Sequence, residues 1–181
     1  IALKMTGESC STISGLSEGI FWDFLEKKPA DLVFRDYQID PALMPALQPT
    51  FGIQGALRAA AAAELGLVAG IPVAYRAGDQ PNNALSLNVL DPGEVAATGG
   101  TSGVVYAITD QAVFDPLSRV NGFAHVNYTL EHPSIGVLMC INGAGITYSW
   151  LRQNMGAAGV SYPELEERAA QVPIGADGLS I

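Results

Sequence analysis

Hydrophobic and polar positions fall into short blocks along this chain, separated by turns that contain glycine or proline. Apolar blocks that contain β-branched or aromatic side chains predict strands. These blocks lie at 71–77, 95–98, 104–108 and 135–141. The first is short and mostly apolar, as is typical of a strand buried in an α/β sheet. The segment that opens at Ile1 is also strand-like.

Blocks with helix-forming residues or helix-end signals lie between these strands. The predicted helices cover 18–25, 57–65, 80–88 and 146–152, and a last helix opens at Ser161. Gly66 supplies the usual stop after an alanine-rich helix, and Ser161 with Glu164 fits a capping box. The alternation of strand, loop and helix indicates an α/β protein.

A turn at Asp91, Pro92 and Gly93 separates two stretches of different composition, and we interpret it as a hinge between two lobes. The chain has 181 residues and no initiator methionine. We therefore expect an internal fragment that contains parts of two domains.

Composition narrows the classes of function. The chain is 49% hydrophobic and 15% charged, as is typical of a globular protein. Its net charge is −9 with nine Lys and Arg residues and no basic patch, which argues against nucleic acid and anionic lipid as partners. No apolar run approaches the roughly 20 residues that span a bilayer. Cys10 and Cys140 do not make a disulfide framework, so we expect a cytoplasmic protein.

Asp79 lies between the predicted strand at 71–77 and the predicted helix at 80–88. Ligands of open α/β sheets gather at the carboxyl ends of strands, where an ionised aspartate can act as a general base toward a substrate hydroxyl. The alternative is that Asp79 caps the helix, which Pro81 in the first turn also favours. On spacing alone, capping is the more frequent case.

The glycine-rich segment at 99–103 joins two predicted strands. Its backbone N–H groups and the hydroxyls of Thr101 and Ser102 can cradle phosphate oxygens. A plain hairpin turn is the alternative, because glycine is common in such turns. No Gly-Lys-Ser or Gly-Lys-Thr follows, so the segment is not a Walker A loop.

Another glycine-containing segment, Asn-Gly-Ala-Gly at 142–145, follows a predicted strand and begins a predicted helix. The N–H groups and dipole at a helix start favour an anion or a closely approaching nucleotide. Tight packing of the helix against the sheet, with no ligand, explains the glycines equally well.

The histidines and tryptophans of the chain do not indicate a further functional site. His125 and His132 are the only histidines, and neither has a cysteine or carboxylate at ligand spacing. We therefore predict no metal-ligating residues and interpret both histidines as loop or surface residues. Trp22 and Trp150 are interpreted as core residues.

Three short motifs follow one another in a specific order. They are Gly-Asp-Gln at 78–80 before a helix of small residues, Gly-Glu-Val at 93–95 followed by Gly-Thr-Ser-Gly at 100–103, and Gly-Ala-Gly at 143–145 followed by Trp-Leu-Arg at 150–152. Each motif is weak alone, and the ordered set is specific. Over essentially its whole length, the chain resembles the middle of an FGGY carbohydrate kinase, closest to the xylulokinases.

The resemblance implies a ribonuclease H-like fold of the actin-like ATPase superfamily, with ATP and sugar bound between two lobes. Residues 1–90 match the C-terminal part of the first, sugar-binding lobe. Residues 91–181 match the N-terminal part of the second, nucleotide-binding lobe.

The resemblance also implies roles for individual residues. Asp79 matches the catalytic base, and Gln80 matches a neighbour that contacts the substrate. The positions that match nucleotide contacts are Gly100, Thr101, Ser102, Gly145 and Ser149. Other family members carry Gln or Arg at the position of Ser149.

The implied reaction is ATP-dependent phosphorylation of a sugar hydroxyl, D-xylulose to D-xylulose 5-phosphate, with Mg²⁺ bridging the phosphates. Kinases for ribulose, gluconate or glycerol, and a non-catalytic sensor of the same fold, are the alternatives. Dimers are common in the family, so a homodimer is expected. The family's first strand and its adenosine loop do not match any part of this chain, so we expect the 181-residue segment alone to be inactive.

Overall fold

The structure, a computed structural model, describes residues 1–155 and 159–179. These residues form two compact units. The first unit contains Ile1–Thr98 and Val104–Cys140, and the second contains Gly99–Gly103 with the described part of Ile141–Ile181. The predicted division at residues 90 and 91 concerns the lobes of a complete protein and stays a prediction.

Short helices and two-residue strands make up most of the first unit. Its helices are α1 (Ala2–Thr6), α2 (Ile13–Glu18), α3 (Asp31–Asp36), α4 (Ala59–Leu65) and α5 (Asp79–Ser86). Its short strands are β1 (Cys10–Ser11), β2 (Trp22–Asp23), β3 (Lys28–Pro29), β4 (Ala46–Leu47), β5 (Gly55–Ala56) and β6 (Pro72–Val73). They pair as β1 with β4 in parallel, and as β2 with β3 and β5 with β6 in antiparallel fashion.

A four-stranded sheet follows in the chain. Its strands are β7 (Val95–Gly99), β8 (Gly103–Thr109), β9 (Asn121–Ala124) and β10 (Ile135–Ile141), in the order β7-β8-β10-β9. Strands β7 and β8 are neighbours joined by only three residues, so they form a hairpin, as the sequence predicts. Strand β9 pairs with β10 in antiparallel fashion, with Ala124 opposite Ile135.

Both faces of this sheet are buried in apolar clusters. Ile135 packs with Trp22 and Ala124, whereas Leu138 packs with Tyr106 and with residues of and after α5. Because side chains alternate along a strand, Ile135 and Leu138 point to opposite faces of the sheet. Helical segments on both faces of a sheet are the architecture expected of an α/β protein.

Helix α2 lies along the outer edge of β9, the last strand of the sheet. The Ser17 hydroxyl accepts the backbone N–H of Ala124 at 2.8 Å, and Leu16 packs in the apolar cluster that contains Ile135. An edge strand exposes unpaired backbone groups, and covering them with a helix satisfies these groups. This contact fixes the helix that carries Ser14 and Glu18.

Several predicted elements are confirmed. Helix α4 ends at Gly66, which has φ of 66°, and α5, β10 and the helix after 142–145 lie where the sequence places them. The predicted helix at 18–25 is wrong, because α2 ends at Glu18 and a turn with Ile20 at φ 61° leads into β2. The side chain of Trp22, on β2, is buried in the core.

Two predicted strands also differ from the structure. The opening segment forms α1, with Gly7 in the left-handed region as its stop, rather than a strand. The segment 71–77 contributes only the two residues of β6, and Ile71 is exposed. Beyond β6 the chain leaves the pairing, because Arg76 binds the Cys10 carbonyl and the Tyr75 hydroxyl binds Asn82.

The second unit contains α6 (Ala144–Asn154) and α7 (Tyr162–Ala169). The Arg152 guanidinium lies 4.8 Å from the centre of the Tyr162 ring, a cation–π contact between the helices. Ser161 caps α7 as predicted, since its hydroxyl accepts the Glu164 N–H. Trp150 is 52% exposed, so its assignment to the core is wrong. In the described ranges, no helix combines the length and the apolar character needed to cross a membrane.

His125 lies in a loop, as the sequence predicts, but this loop position is fully buried rather than at the surface. It follows β9, and its backbone N–H donates to the Ser134 carbonyl. Its Nδ1 lies 3.1 Å from the Tyr106 hydroxyl oxygen, and its Nε2 has no hydrogen-bond partner among the described residues. Burial lowers the pKa of His125, and the Val89 carbonyl acts in the opposite direction. His132 is exposed, as predicted.

The lowered pKa of His125 predicts a stability that depends on pH. The unfolded chain takes up a proton near pH 6.5 while the folded chain does not, so the free energy of unfolding falls as pH decreases through that value. Urea unfolding at pH 7.5 and pH 5.5 measures the effect. Glu18 has a raised pKa and acts in the opposite direction, so the informative quantity is the difference between wild type and His125→Gln. Equal pH dependence of the two proteins would contradict the prediction.

Candidate active site

Asp79 is the first residue of α5 and its side chain is exposed. The N-cap of the helix is Gly78, and no side chain makes the capping hydrogen bond at this end. The alternative that Asp79 acts as the N-cap is therefore wrong. The carboxylate is left outside the hydrogen bonds of its own helix, in the position where a proton acceptor would be accessible.

The start of α5 is held by a bond from α2 and by bonds within the helix itself. The Gly78 N–H donates to the Ser14 hydroxyl at 3.2 Å, and this bond is buried. The Gly78 carbonyl accepts the Asn82 N–H at 3.1 Å. Pro81 in the first turn is buried and needs no N–H partner. Together these contacts fix the backbone from which Asp79 projects.

Polar side chains accompany Asp79 on this helix. Gln80 follows directly and is half-buried. The Asn82 side-chain carbonyl accepts the Tyr75 hydroxyl at 2.9 Å, and the Asn83 amide donates to the Thr98 hydroxyl at 3.1 Å. The start of α5 is therefore polar, as expected for a surface that binds a polyhydroxy compound.

Glu18 is a second carboxyl group at the start of α5, and sequence analysis missed it. Its carboxyl group lies against the backbone of Gly78. Burial raises the pKa of Glu18, the charge of Asp79 raises it further, and the backbone N–H of Asp79 lowers it. No local pattern could indicate this neighbour, because it lies on α2, far from Asp79 in the sequence.

In the second unit, the predicted phosphate turn and the start of α6 lie against each other. The Gly145 N–H donates to the Gly100 carbonyl at 3.0 Å, and the Ile146 N–H donates to the Thr101 carbonyl at 3.3 Å. The Gly100 N–H donates to the Ser102 carbonyl at 3.0 Å. The turn thus caps α6, and these two helix donors are already bonded rather than open to an anion.

Close packing explains why position 145 is a glycine. A Cβ at this position would overlap the carbonyl group of Gly100. Of the two explanations left open by the sequence, close backbone packing accounts for the glycine without a ligand. The predicted nucleotide contact at Gly145 stays a prediction.

The side chains of the predicted nucleotide contacts differ in accessibility. Thr101 is exposed at the tip of the turn, whereas Ser102 and Ser149 are half-buried. Ser149 lies one turn after Gly145, on the same face of α6, and its hydroxyl accepts the Gln153 amide at 3.3 Å. An exposed hydroxyl on a turn whose backbone is fixed by hydrogen bonds fits a phosphate oxygen.

Metal ions in proteins are held by groups of His, Cys, Asp or Glu side chains. Within residues 1–155 and 159–179, no three or more His, Cys, Asp or Glu side chains group closely enough to hold a metal ion.

Comparison with known proteins identifies the family. No family model matches the chain. The xylulose kinase of Escherichia coli strain K12 is 30% identical over 125 residues, which are 69% of this chain and 26% of that protein. The autoinducer-2 kinase of Yersinia enterocolitica is 30% identical over 169 residues, which cover 82% of this chain and 31% of that protein. The crystal structure of xylulose kinase from Rhodospirillum rubrum aligns over 98% of this chain and 36% of that one, with a TM-score of 0.80 and 28% identity.

The chain belongs to the FGGY carbohydrate kinases. The predicted family is confirmed, and so is the ribonuclease H-like fold of the actin-like ATPases. This FGGY kinase chain spans 26% and 31% of the length of the two relatives. The roles of Asp79, Gln80 and the nucleotide-contacting residues stay predictions.

Proposed function

We propose that the whole protein is a sugar kinase that uses ATP to convert D-xylulose to D-xylulose 5-phosphate, with Asp79 as the general base. The observation that carries the proposal is the accessible Asp79 carboxylate at the start of α5, which its own helix does not use as a cap. The identity of the chain as an FGGY kinase supports the reaction class.

The chemistry assigned to Asp79 is proton transfer. As a substrate hydroxyl oxygen attacks the γ-phosphorus, its proton passes to the Asp79 carboxylate and the bond from phosphorus to the ADP oxygen breaks. A carboxylate in its ionised form can accept this proton as the hydroxyl attacks. Gln80, directly after the base, can donate its amide N–H to a second sugar hydroxyl.

Positioning and charge neutralisation account for most of the catalysis in phosphoryl transfer. The exposed hydroxyl of Thr101 would hold an ATP phosphate oxygen, with Ser102 and Gly100 in the same turn. Gly145 and Ser149 would approach the nucleotide from α6. Bound Mg²⁺ would supply neutralisation of the phosphate charge.

The substrate proposal is tested with a panel of sugars on the full-length protein. We expect D-xylulose to give the highest kcat/KM among D-xylulose, D-ribulose, D-gluconate and glycerol, measured as ADP release in a coupled assay. A loss of ADP release when ATP is omitted is the control. A preference for another member of the panel would overturn the xylulose assignment and keep the kinase assignment.

A second candidate is a kinase for a different polyol or ketose. It is favoured by the relative named autoinducer-2 kinase, which aligns over a larger share of this chain than the Escherichia coli xylulose kinase does. Adding autoinducer-2 to the same panel of substrates separates the two candidates. We further infer that the whole protein is a cytoplasmic homodimer. We also infer that residues 1–181 have no kinase activity when they are produced alone.

A further inference from the structure

Glu18 and Gly78 fit each other closely. Gly78 has φ of −66° and ψ of 164°, a conformation that any residue adopts, so its backbone does not require glycine. A Cβ at position 78, however, would overlap the carboxyl group of Glu18. Glycine at this position therefore leaves room for the carboxyl group beside the residue that precedes Asp79.

Helix α2 presents two acceptors to the start of α5. Ser14 and Glu18 are four residues apart and lie on the same face of α2. The Ser14 hydroxyl accepts the Gly78 N–H, and the Glu18 carboxyl group lies beside Gly78 and acts on the Asp79 N–H. The backbone N–H groups of Gly78 and Asp79 therefore have their acceptors on another helix, α2. The Asp79 side chain remains outside these capping contacts.

The electrostatic partners of Glu18 make its surroundings unusual for a carboxylate. They are Asp79 on α5, whose charge acts on Glu18, and Tyr106 on β8, on which the charge of Glu18 acts. Glu18 is half-buried, and burial is the largest cause that raises its pKa, followed by the charge of Asp79. Burial, followed by the charge of Glu18, raises the pKa of Tyr106.

We propose that Glu18 is a positioning residue for Asp79. It holds the backbone at Gly78 and Asp79 from the side, so that the reacting carboxylate projects in one direction from the start of α5. This inference rests on the proposed function of Asp79, and it goes beyond that function by naming the group that orients the base.

Two substitutions at position 18 test the inference in the full-length protein. We expect Glu18→Ala to lower kcat about 10- to 100-fold, because small displacements of a reacting group cost this much, while KM for sugar and for ATP stays unchanged. We expect Glu18→Gln to keep most of the wild-type kcat, because its side-chain carbonyl can still accept from the same backbone. Recovery with Gln distinguishes positioning from a general loss of stability.

Glu94→Ala is the matched control. Glu94 also accepts backbone N–H groups with its carboxylate, from Leu90 at 2.7 Å and Asp91 at 3.0 Å. We expect this variant to keep wild-type kcat. Hydrogen exchange at the Asp79 amide gives a readout independent of turnover, and we expect faster exchange in Glu18→Ala than in Glu18→Gln.

Gly78→Ala provides a second route if Glu18→Ala folds poorly. Its added Cβ would displace the flexible Glu18 side chain, so we expect a similar loss of kcat, with no further loss in the double variant. Wild-type kcat in Glu18→Ala, or no recovery with Gln, would overturn the inference and leave the function of Asp79 intact. Wild-type turnover in an Asp79 variant would overturn the proposed function instead.

Discussion

Replacing Asp79 with asparagine lowers kcat of the full-length protein by an expected 10²- to 10⁴-fold, because an amide cannot accept the proton of the attacking hydroxyl. The substitution keeps the size of the side chain, and the Asp79 side chain makes no cap for α5. Binding of sugar and ATP should therefore persist. A coupled assay of ADP release measures the turnover, and calorimetry measures the binding.

Asp31→Asn is the control for this change. Asp31 is also the first residue of its helix, α3, and the N-cap before it, Ala30, likewise has no capping side chain. We expect Asp31→Asn to keep wild-type turnover. If Asp79→Asn also turned over sugar at the wild-type rate, the protein would not use this base, and a non-catalytic sensor of the same fold would become the better hypothesis.

Gly145→Ala should destabilise the second unit by about 1–3 kcal/mol, the usual cost of overpacking a filled position. The added Cβ would overlap the Gly100 carbonyl group, which is backbone and cannot rotate away. Separation of the turn from α6 would break the bonds from the Gly145 and Ile146 N–H groups to the turn. Because Thr101 lies on the same turn, we also expect weaker ATP binding.

Gly99→Ala is the matched control for this second prediction. Gly99 begins the same turn, and a Cβ there would meet no atom within 4 Å. Urea unfolding of the two variants measures the stability, and calorimetry with ATP and Mg²⁺ measures the affinity. Equal stability and equal ATP affinity of the two variants would contradict the close contact between Gly100 and Gly145.

The sequence correctly predicted those elements whose conformation depends on neighbouring residues. The stop of α4 at Gly66, the hairpin of β7 and β8, and the cap of α7 at Ser161 all follow from neighbouring residues. In each case the backbone conformation or the hydrogen bond joins groups a few residues apart. Such features are present in the chain before any tertiary contact forms.

The misassigned elements have a shared cause. The helix predicted at 18–25 ends early because Trp22 packs in the core with residues of the sheet, and His125 is buried because it follows an edge strand that α2 covers. Trp150 is half-exposed, although a large apolar side chain favours burial. Burial depends on which distant segments meet, and that information is absent from a short window of sequence.

The same division holds for the site. By itself, the sequence determined the family of the protein, the position of Asp79 at the start of a helix and the turn that contains Thr101. Only the tertiary structure decided that Asp79 is not the cap of its helix, that Glu18 lies beside it, and that the turn caps α6. These contacts join residues far apart in the chain, whose approach is set by packing of α2 along the sheet edge and of α6 against the turn, rather than by local conformational preference.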